Sequence, residues 1–392
     1  MLSNRWLVLT LLFAVRTGMG IQYQAVAALS PLYMEDFALS IADIGFLIGL
    51  YHAPGALLAF PGGAIAARLG DKRVVIMGLA LMVAGELMMA MALGWSMQVA
   101  GRFVAGGGGI LLSVSISKMV TDWFAGKEIA TAMAIIGNAA PFGIAIALLA
   151  LPTIAEMGGR MLVSGGIIAY AIAAMACLTL GYRPATQAKA VQAAGSLWPA
   201  WNTVQAVVAA GVVYGLYNAA LVSVIGFGPL MLIERGWTIT TANSITSVVL
   251  WLCALSLPAG GWLADWTQRS GLVLATGLAG FAGALIIAAR VDIVLPAFIS
   301  LGILSGVACG PIMALPSQVL TPNTRAVGMG IFYTVYYALQ IACPSLVGAI
   351  ADMFGHSYVA LDIGAAFLLV GALAWMLFRR ISNGAVAPQS AI

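Results

Sequence analysis

The sequence predicts an all-α membrane protein of about twelve transmembrane helices, arranged as two six-helix repeats. Three observations carry that class. Apolar residues make up 62% of the 392-residue chain and charged residues only 8%, against roughly 45–50% and 25% in soluble domains. Apolar runs of about 18 or more residues recur along the whole chain, each long enough to cross a hydrocarbon core of about 30 Å. Paired landmarks also recur at one fixed offset between the two halves.

Backbone polar groups in lipid must be satisfied within their own segment, so these runs are expected to be helices. A spanning barrel would show short alternating strands, and no such alternation is visible. The expected spans are 6–33, 43–66, 74–94, 98–120, 129–152 and 161–181, then 203–233, 239–263, 271–290, 293–317, 326–350 and 357–378. The first begins near Trp6 and outruns a signal-peptide core, which predicts a retained helix. Between Gly181 and Thr203 lies the longest non-apolar stretch, with Arg183, Pro184, Gln187, Lys189 and Gln192. It divides the chain into a bundle over 1–181, a cytoplasmic linker over 182–202 and a second bundle over 203–392.

Charge placement sets the expected orientation. With the N-terminus inside, Arg5, Arg68, Lys72, Arg73, Lys118, Lys127, Arg183 and Lys189 face the cytoplasm. So do Arg269, Arg325, Arg379 and Arg380, whereas only Arg160, Arg235 and Arg290 fall in outer loops. The expectation is a multi-pass protein of the cell inner membrane with both termini cytoplasmic. Cys177, Cys253, Cys309 and Cys343 all lie in apolar segments and read as small buried hydrophobes. Neither disulfide nor metal-ligand spacing is apparent among them.

Ser30-Pro31-Leu32 at the end of the first span matches Gly228-Pro229-Leu230 at the end of the seventh. Ser40 and Thr238, each a plausible helix N-cap, precede the second and eighth spans. Gly62-Gly63 matches Gly260-Gly261. All three pairs are 198 residues apart. Further on, the run from Ala130 to Ile135 is similar to the run from Ala326 to Ile331, with the offset two shorter. An even number of spans separates equivalent helices, so the repeats are parallel.

With six plus six helices and a polar link, the chain resembles the major facilitator superfamily over essentially its whole length. The family's loop between helices 2 and 3 reads Gly-x-x-x-Asp-Arg-x-Gly-Arg-Arg/Lys. Here Gly63, Arg68, Gly70 and Lys72 fit, while Ala67 replaces the acid and Asp71 a base. In the second half Gly261-Trp262-Leu263-Ala264-Asp265 keeps the glycine and the acid. The resemblance implies the major facilitator fold and a cytoplasmic gate latch resting more on Asp265 than on the first loop. Gly101-Arg102-Phe103, followed by Gly106 to Gly109, is similar to the family's helix 4 arginine motif. Gly137, Pro141 and Gly143 match the antiporter signature only loosely. The wording around Pro54-Gly55, Phe60-Pro61-Gly62-Gly63 and Met329-Gly330-Ile331-Phe332-Tyr333 looks most like the anion-permease branch of cyanate- and nitrite-type permeases.

Ionisable side chains at membrane depth are costly and therefore point to function. Arg16 lies two to three turns into the first span and shares a helical face with Gly20, Tyr23, Gln24 and Ala27. That face is expected to line a cavity and Arg16 to bind substrate; the bland reading is a snorkelling or carbonyl-bonded arginine. Tyr214 is the repeat counterpart of Arg16, beside Tyr217 and Asn218. Tyr333, Tyr337 and Gln340 share a face of the eleventh span next to Tyr336, and Asn138 sits on the fifth. An arginine fork with phenol and amide donors suits an oxyanion; ordinary packing is the competing reading for the tyrosines. His52 beside Tyr51 reads as packing more readily than as a proton relay. Glu86 and Arg102 lie in the outer halves of adjacent antiparallel spans. They either pair structurally or make Glu86 a protonatable coupling group. Asp362 is expected to be interfacial, and Ser113, Ser115 and Ser117 to be small-residue packing.

The function expected is a secondary active transporter moving a small organic or inorganic anion by alternating access. By the resemblance, its site lies among helices 1, 4, 5, 7, 10 and 11. Protons are the candidate coupling ion, which would make it a symporter. The alternative is proton-antiport export of drug-like or amphipathic compounds. An intramembrane enzyme would need convergent acids, histidines or a nucleophile–base pair, and His52 and His356 are the chain's two histidines. No catalytic residue, cofactor, metal or nucleic-acid partner is expected. The expected partners are a small-molecule substrate and the lipid bilayer, and the family's usual state is a monomer.

Overall fold

Helix α1 (Arg5–Ala28) starts where an asparagine can cap it: the Asn4 side chain accepts a hydrogen bond from the Trp6 amide at 2.9 Å. The structure is a computed structural model that describes residues 4–55, 57, 69–124, 129–183, 198–321 and 324–386. The chain divides into two compact units, Met1–Ala190 with Trp237–Ser247, and Val191–Gly236 with Val248–Ile392. Most of the linker expected over 182–202 lies outside the described residues.

In unit 1, α1 is followed by α2 (Ser30–Phe37), α3 (Ile41–Leu50), α4 (Asp71–Ala90), α5 (Trp95–Phe124), α6 (Ile129–Gly137) and α7 (Ala139–Gly181). Pro31 lies in the first turn of α2, and α1 ends at Ala28, leaving Leu29 as the break between the two helices. The first expected span, 6–33, is thus two helices. A proline lacks the N–H that a continuing helix needs but is tolerated in a first turn. Ser40 opens α3 with a full capping box: its hydroxyl accepts from the Asp43 amide, and the Asp43 carboxylate accepts from the Ser40 amide.

Unit 2 contains α8 (Trp201–Glu234), most of α9 (Ile239–Thr267), α10 (Ser270–Ala288), α11 (Val294–Ala314), a 3-10 turn at Pro316–Gln318, α12 (Arg325–Phe354) and α13 (Val359–Val386). Here the matching proline, Pro229, is inside an unbroken α8. The repeat in sequence is therefore not a repeat in backbone at this point. Thr238 caps α9 by accepting from the Thr241 amide at 3.2 Å.

Among the described residues, ten helices are long and apolar enough to cross a membrane. Ser30–Phe37 and Ile41–Gly55 pass the same test only together, as a pair bent by 115° at a short break. The 43-residue α7 carries non-helical backbone at Gly158 and Gly159. Its contour of about 65 Å is twice a membrane's hydrocarbon thickness, so it is long enough for two spans, in keeping with a twelve-helix fold. Gly159 has φ +66° and ψ −168°, a region open essentially to glycine.

Large apolar side chains point outward, with Leu93, Met157 and Met353 at 100%, 78% and 84% exposure. Lipid gives helices no hydrophobic reason to associate, so close backbone packing carries more of the work. The antiparallel pair α4 and α5 is built that way. A Cβ on Gly108 would sit 2.3 Å from the Gly78 carbonyl oxygen, and one on Gly85 would sit 2.5 Å from that of Gly101. Gly106 likewise admits the Tyr51 carbonyl, at 2.2 Å from where its Cβ would be. The glycine run at 106–109 is thus a packing seam facing two neighbours. Cys253, Cys309 and Cys343 are buried, but Cys177 is exposed, correcting the expectation for that residue. It lies on an outward face of α7, where lipid rather than protein accommodates a small apolar side chain.

Candidate functional site

The polar residues of unit 1 gather where α1, α3, α4, α5 and α7 meet. Arg102 of α5 is completely buried. Its guanidinium donates to three backbone carbonyls: Nε to Leu47 at 2.9 Å, one terminal nitrogen to Gln22 at 3.0 Å and the other to Tyr23 at 2.6 Å. Leu47 is in the last turn of α3, where carbonyls have no intrahelical partner. The cation also lies over the rings of Tyr51 at 4.6 Å and Tyr23 at 5.7 Å. Carbonyl dipoles and ring faces thus solvate it, its rigid planar fork aiming three donors at the carbonyls while it lies over the rings.

Glu86 of α4 is buried as well. One carboxylate oxygen accepts from the Gln22 amide at 3.0 Å, the other from the Ser164 hydroxyl of α7 at 2.8 Å. The direct Glu86–Arg102 pairing considered from sequence is not what forms: no bond or ion pair joins them among the described residues, and Gln22 stands between. Its amide nitrogen also donates to the Met82 carbonyl, and its amide oxygen accepts from Tyr51 at 3.3 Å. Gln22 and Ser164 were not singled out in the sequence. The available signal was a buried amide in an apolar helix, one position off the face chosen for α1.

Of that chosen face, Arg16 is half-buried, Tyr23 and Gln24 are buried, and Gly20 is a packing residue. A Cβ on Gly20 would lie 2.2 Å from the Ala140 carbonyl oxygen of α7, so this position serves close helix approach rather than a cavity wall. The Tyr23 ring stands edge-on to Tyr51 at 5.5 Å and to His52 at 4.9 Å. Asn138 is half-buried in the turn between α6 and α7.

In unit 2 the Tyr217 hydroxyl donates to the Ser305 carbonyl of α11 at 2.9 Å. Asn218 donates to the Tyr214 carbonyl one turn back, and Gln340 of α12 donates to the Gly215 carbonyl of α8 at 3.1 Å. Tyr217 and Gln340 thus tie α8 to α11 and α12, while the Asn218 bond stays within α8. Tyr214 stacks on Phe332 at 5.3 Å and approaches Tyr336 at 5.0 Å. Tyr333 and Tyr337 each pack against Tyr336, making one half-buried aromatic cluster. The structure thus gathers Tyr214, Tyr333 and Tyr337 and turns Tyr217 toward α11.

Of the residues expected at a cytoplasmic gate, Arg68 and the side chain of Asp265 lie outside the described residues. What the first loop does show is Asp71, which starts α4 and meets Lys118 of α5 at 2.5 Å. An acid at a helix N-terminus suits the macrodipole, a physical reason for its place here. Lys72 donates to the Thr179 and Tyr182 carbonyls at the end of α7, at 2.8 and 3.0 Å. Arg160, Arg235 and Arg290 are also tied down. Arg160 bonds Asp36 and the Met89 carbonyl ending α4, and Arg235 caps α10 at Ala288 and Ala289. Arg290 holds Asp362 through two bonds of 2.6 and 3.2 Å, and this hydrogen bond and charge raise the Arg290 pKa.

The family model described as Major Facilitator Superfamily matches residues 8–337 and again 210–391. A lysosomal dipeptide transporter of Danio rerio is 28% identical over 302 residues, covering 69% of this chain. The chain spans 63% of that relative, less than two thirds of its length. A hexuronate transporter of Bacillus subtilis is 25% identical over 378 residues, 89% of this chain and 87% of its own. In fold, the chain is similar to a bacterial homolog of the human lysosomal transporter Spinster in an inward-facing, occupied conformation. The TM-score is 0.83 at 16% identity, covering 97% of this chain and 98% of that one. The nucleoside transporter NupG also has this fold, with a TM-score of 0.76 at 14% identity, covering 96% and 99%.

Proposed function

The chain belongs to the Major Facilitator Superfamily, and from that premise we propose that this transporter moves a small organic or inorganic anion. It does so by alternating access across the cell inner membrane, with both termini cytoplasmic. The observation that carries the anion reading is Arg16. It lies about 17 Å along α1 from the helix start at 1.5 Å per residue, near the middle of a hydrocarbon core, and it is half-buried. A cation held there is costly unless it has a task. A fork of donors matches a carboxylate or similar oxyanion. The hexuronate transporter, similar over 89% of this chain, is named for a substrate bearing a carboxylate, which supports an organic anion and a place in the anion-permease branch.

Tyr23, Gln24 and Asn138 of unit 1 are proposed to orient the anion beside Arg16. Tyr214, Tyr217, Asn218, Tyr333, Tyr337 and Gln340 are the corresponding proposal for unit 2. Glu86 is the proposed proton carrier for symport. Its carboxylate is held by an amide and a hydroxyl rather than directly by a cation, so taking up a proton leaves no guanidinium stranded. Arg102 positions α1 against α3, and Arg68 with Asp265 serves the cytoplasmic gate.

Export of amphipathic compounds by proton antiport is the second reading. The aromatic cluster of unit 2 and a 24% match over 111 residues to the quinolone resistance protein NorA of Staphylococcus aureus favour it. Thermal unfolding of purified protein with anions, neutral sugars and cationic drugs, beside Arg16→Ala, separates the two. A carboxylate that raises the wild-type midpoint and leaves the variant unmoved supports the anion reading. Stabilisation of both proteins by a cationic or neutral compound supports export.

A further inference from the structure

At the basic end of unit 2, α10, α11, the 3-10 turn and α13 leave a cavity of about 370 Å³ that the transport reading does not use. Arg269, Ser270 and Gly271 line it from the start of α10, and Trp375 and Arg379 from α13. The Arg379 guanidinium lies over the Trp375 ring at 5.3 Å, and Trp375 abuts Gly271. Among the described residues no carboxylate pairs with Arg269 or Arg379. No side chain caps α10, so its first backbone N–H groups add to the positive potential. The cavity therefore offers two guanidinium groups and a helix N-terminus to one anion.

Arg269 and Leu272 also line a second hollow of about 440 Å³, whose other walls include Leu263, Trp266, Val273 and Thr276. Trp262 and Trp266 stack at 5.6 Å and are 64% and 70% exposed. Indole side chains so exposed belong at a membrane–water boundary. Because the two hollows share Arg269 and Leu272, a cationic pocket adjoins an apolar groove, which is the polarity of a phospholipid and not of a free ion.

We propose that this is a binding site for one anionic phospholipid. Arg269, Arg379 and the start of α10 take the headgroup phosphate, and an acyl chain lies along Leu272 and Trp266. Basic pockets between transmembrane helices recur as sites for anionic lipid headgroups. The bound lipid ties α10 to α13 and stabilises unit 2.

The test is thermal unfolding of the full chain in mild detergent, with added phosphatidylglycerol, phosphatidylcholine or inorganic phosphate. Phosphatidylglycerol alone is expected to raise the wild-type midpoint. The Arg269→Gln/Arg379→Gln variant is expected to lose at least half of that rise, while Arg380→Gln, outside the cavity, keeps it. If the double variant does not fold, Arg269→Gln alone decides, because that exposed side chain has no hydrogen bond or ion pair among the described residues. An equal rise with phosphatidylcholine, a full effect from inorganic phosphate, an undiminished rise in the variants, or no rise at all would each overturn the proposal.

Discussion

Arg102 and Glu86, the two buried charged side chains among the described residues of unit 1, are joined through Gln22. The Gln22 backbone carbonyl accepts from the guanidinium at 3.0 Å, and its side-chain amide donates to the carboxylate at 3.0 Å. The charges are thereby each hydrogen-bonded without neutralising one another in contact. Gln22→Leu deprives Glu86 of one of its two donors and the Tyr51 hydroxyl of its acceptor. A loss of about 1–3 kcal/mol is expected, the usual cost of stranding a buried polar group. Thermal or denaturant unfolding in detergent measures it, and an unchanged midpoint would show that the bridge contributes nothing.

Arg102→Lys keeps the charge but cannot reach three carbonyls that converge from α1 and α3. A loss of about 1–3 kcal/mol is expected here too, whereas Asp362→Asn, which breaks a half-exposed pair, should cost roughly 0–1 kcal/mol. Unfolding midpoints of the two variants in the same detergent give the comparison. Equal effects would mean that the carbonyl cage is no stronger than a surface ion pair.

The glycine seam gives a contrast within one protein. Gly108→Ala forces a methyl toward the Gly78 carbonyl and should destabilise by about 1–3 kcal/mol. Gly166→Ala meets nothing within 4 Å and should be neutral or stabilising by up to about 1 kcal/mol. Reversal of that order in unfolding experiments would contradict the tight α4–α5 contact.

Gly159→Ala places a Cβ on backbone at φ +66° and ψ −168°. A penalty of about 1–3 kcal/mol is expected, read as lower yield of folded protein and a lower midpoint. Unaltered stability would mean that the break in α7 relaxes into an ordinary conformation.

The architecture was legible because membrane helices announce themselves by composition, and the Ser40 cap because its partner is three residues away. The break at Leu29 was not, since Pro31 and Pro229 look equivalent in sequence and differ only in what the chain does around them. The site was half legible. Glu86 and Arg102 stood out as charges in apolar helices, but their partners are backbone carbonyls, an amide and a hydroxyl, which no charge pattern reveals. Gly20 fell on the polar face of α1 by periodicity, yet α7 approaches so closely there that only glycine fits. Asp71 looked like a departure from a motif until Lys118 was found beside it.

The most direct measurement is uptake of labelled hexuronate and other small carboxylates into proteoliposomes, comparing wild type with Arg16→Ala and Arg16→Lys. If Arg16 receives the anion, the alanine variant should lose most of the uptake, and lysine, a point charge without the fork, should restore part of it. Undiminished uptake by Arg16→Ala, or transport confined to neutral and cationic compounds, would contradict the anion assignment.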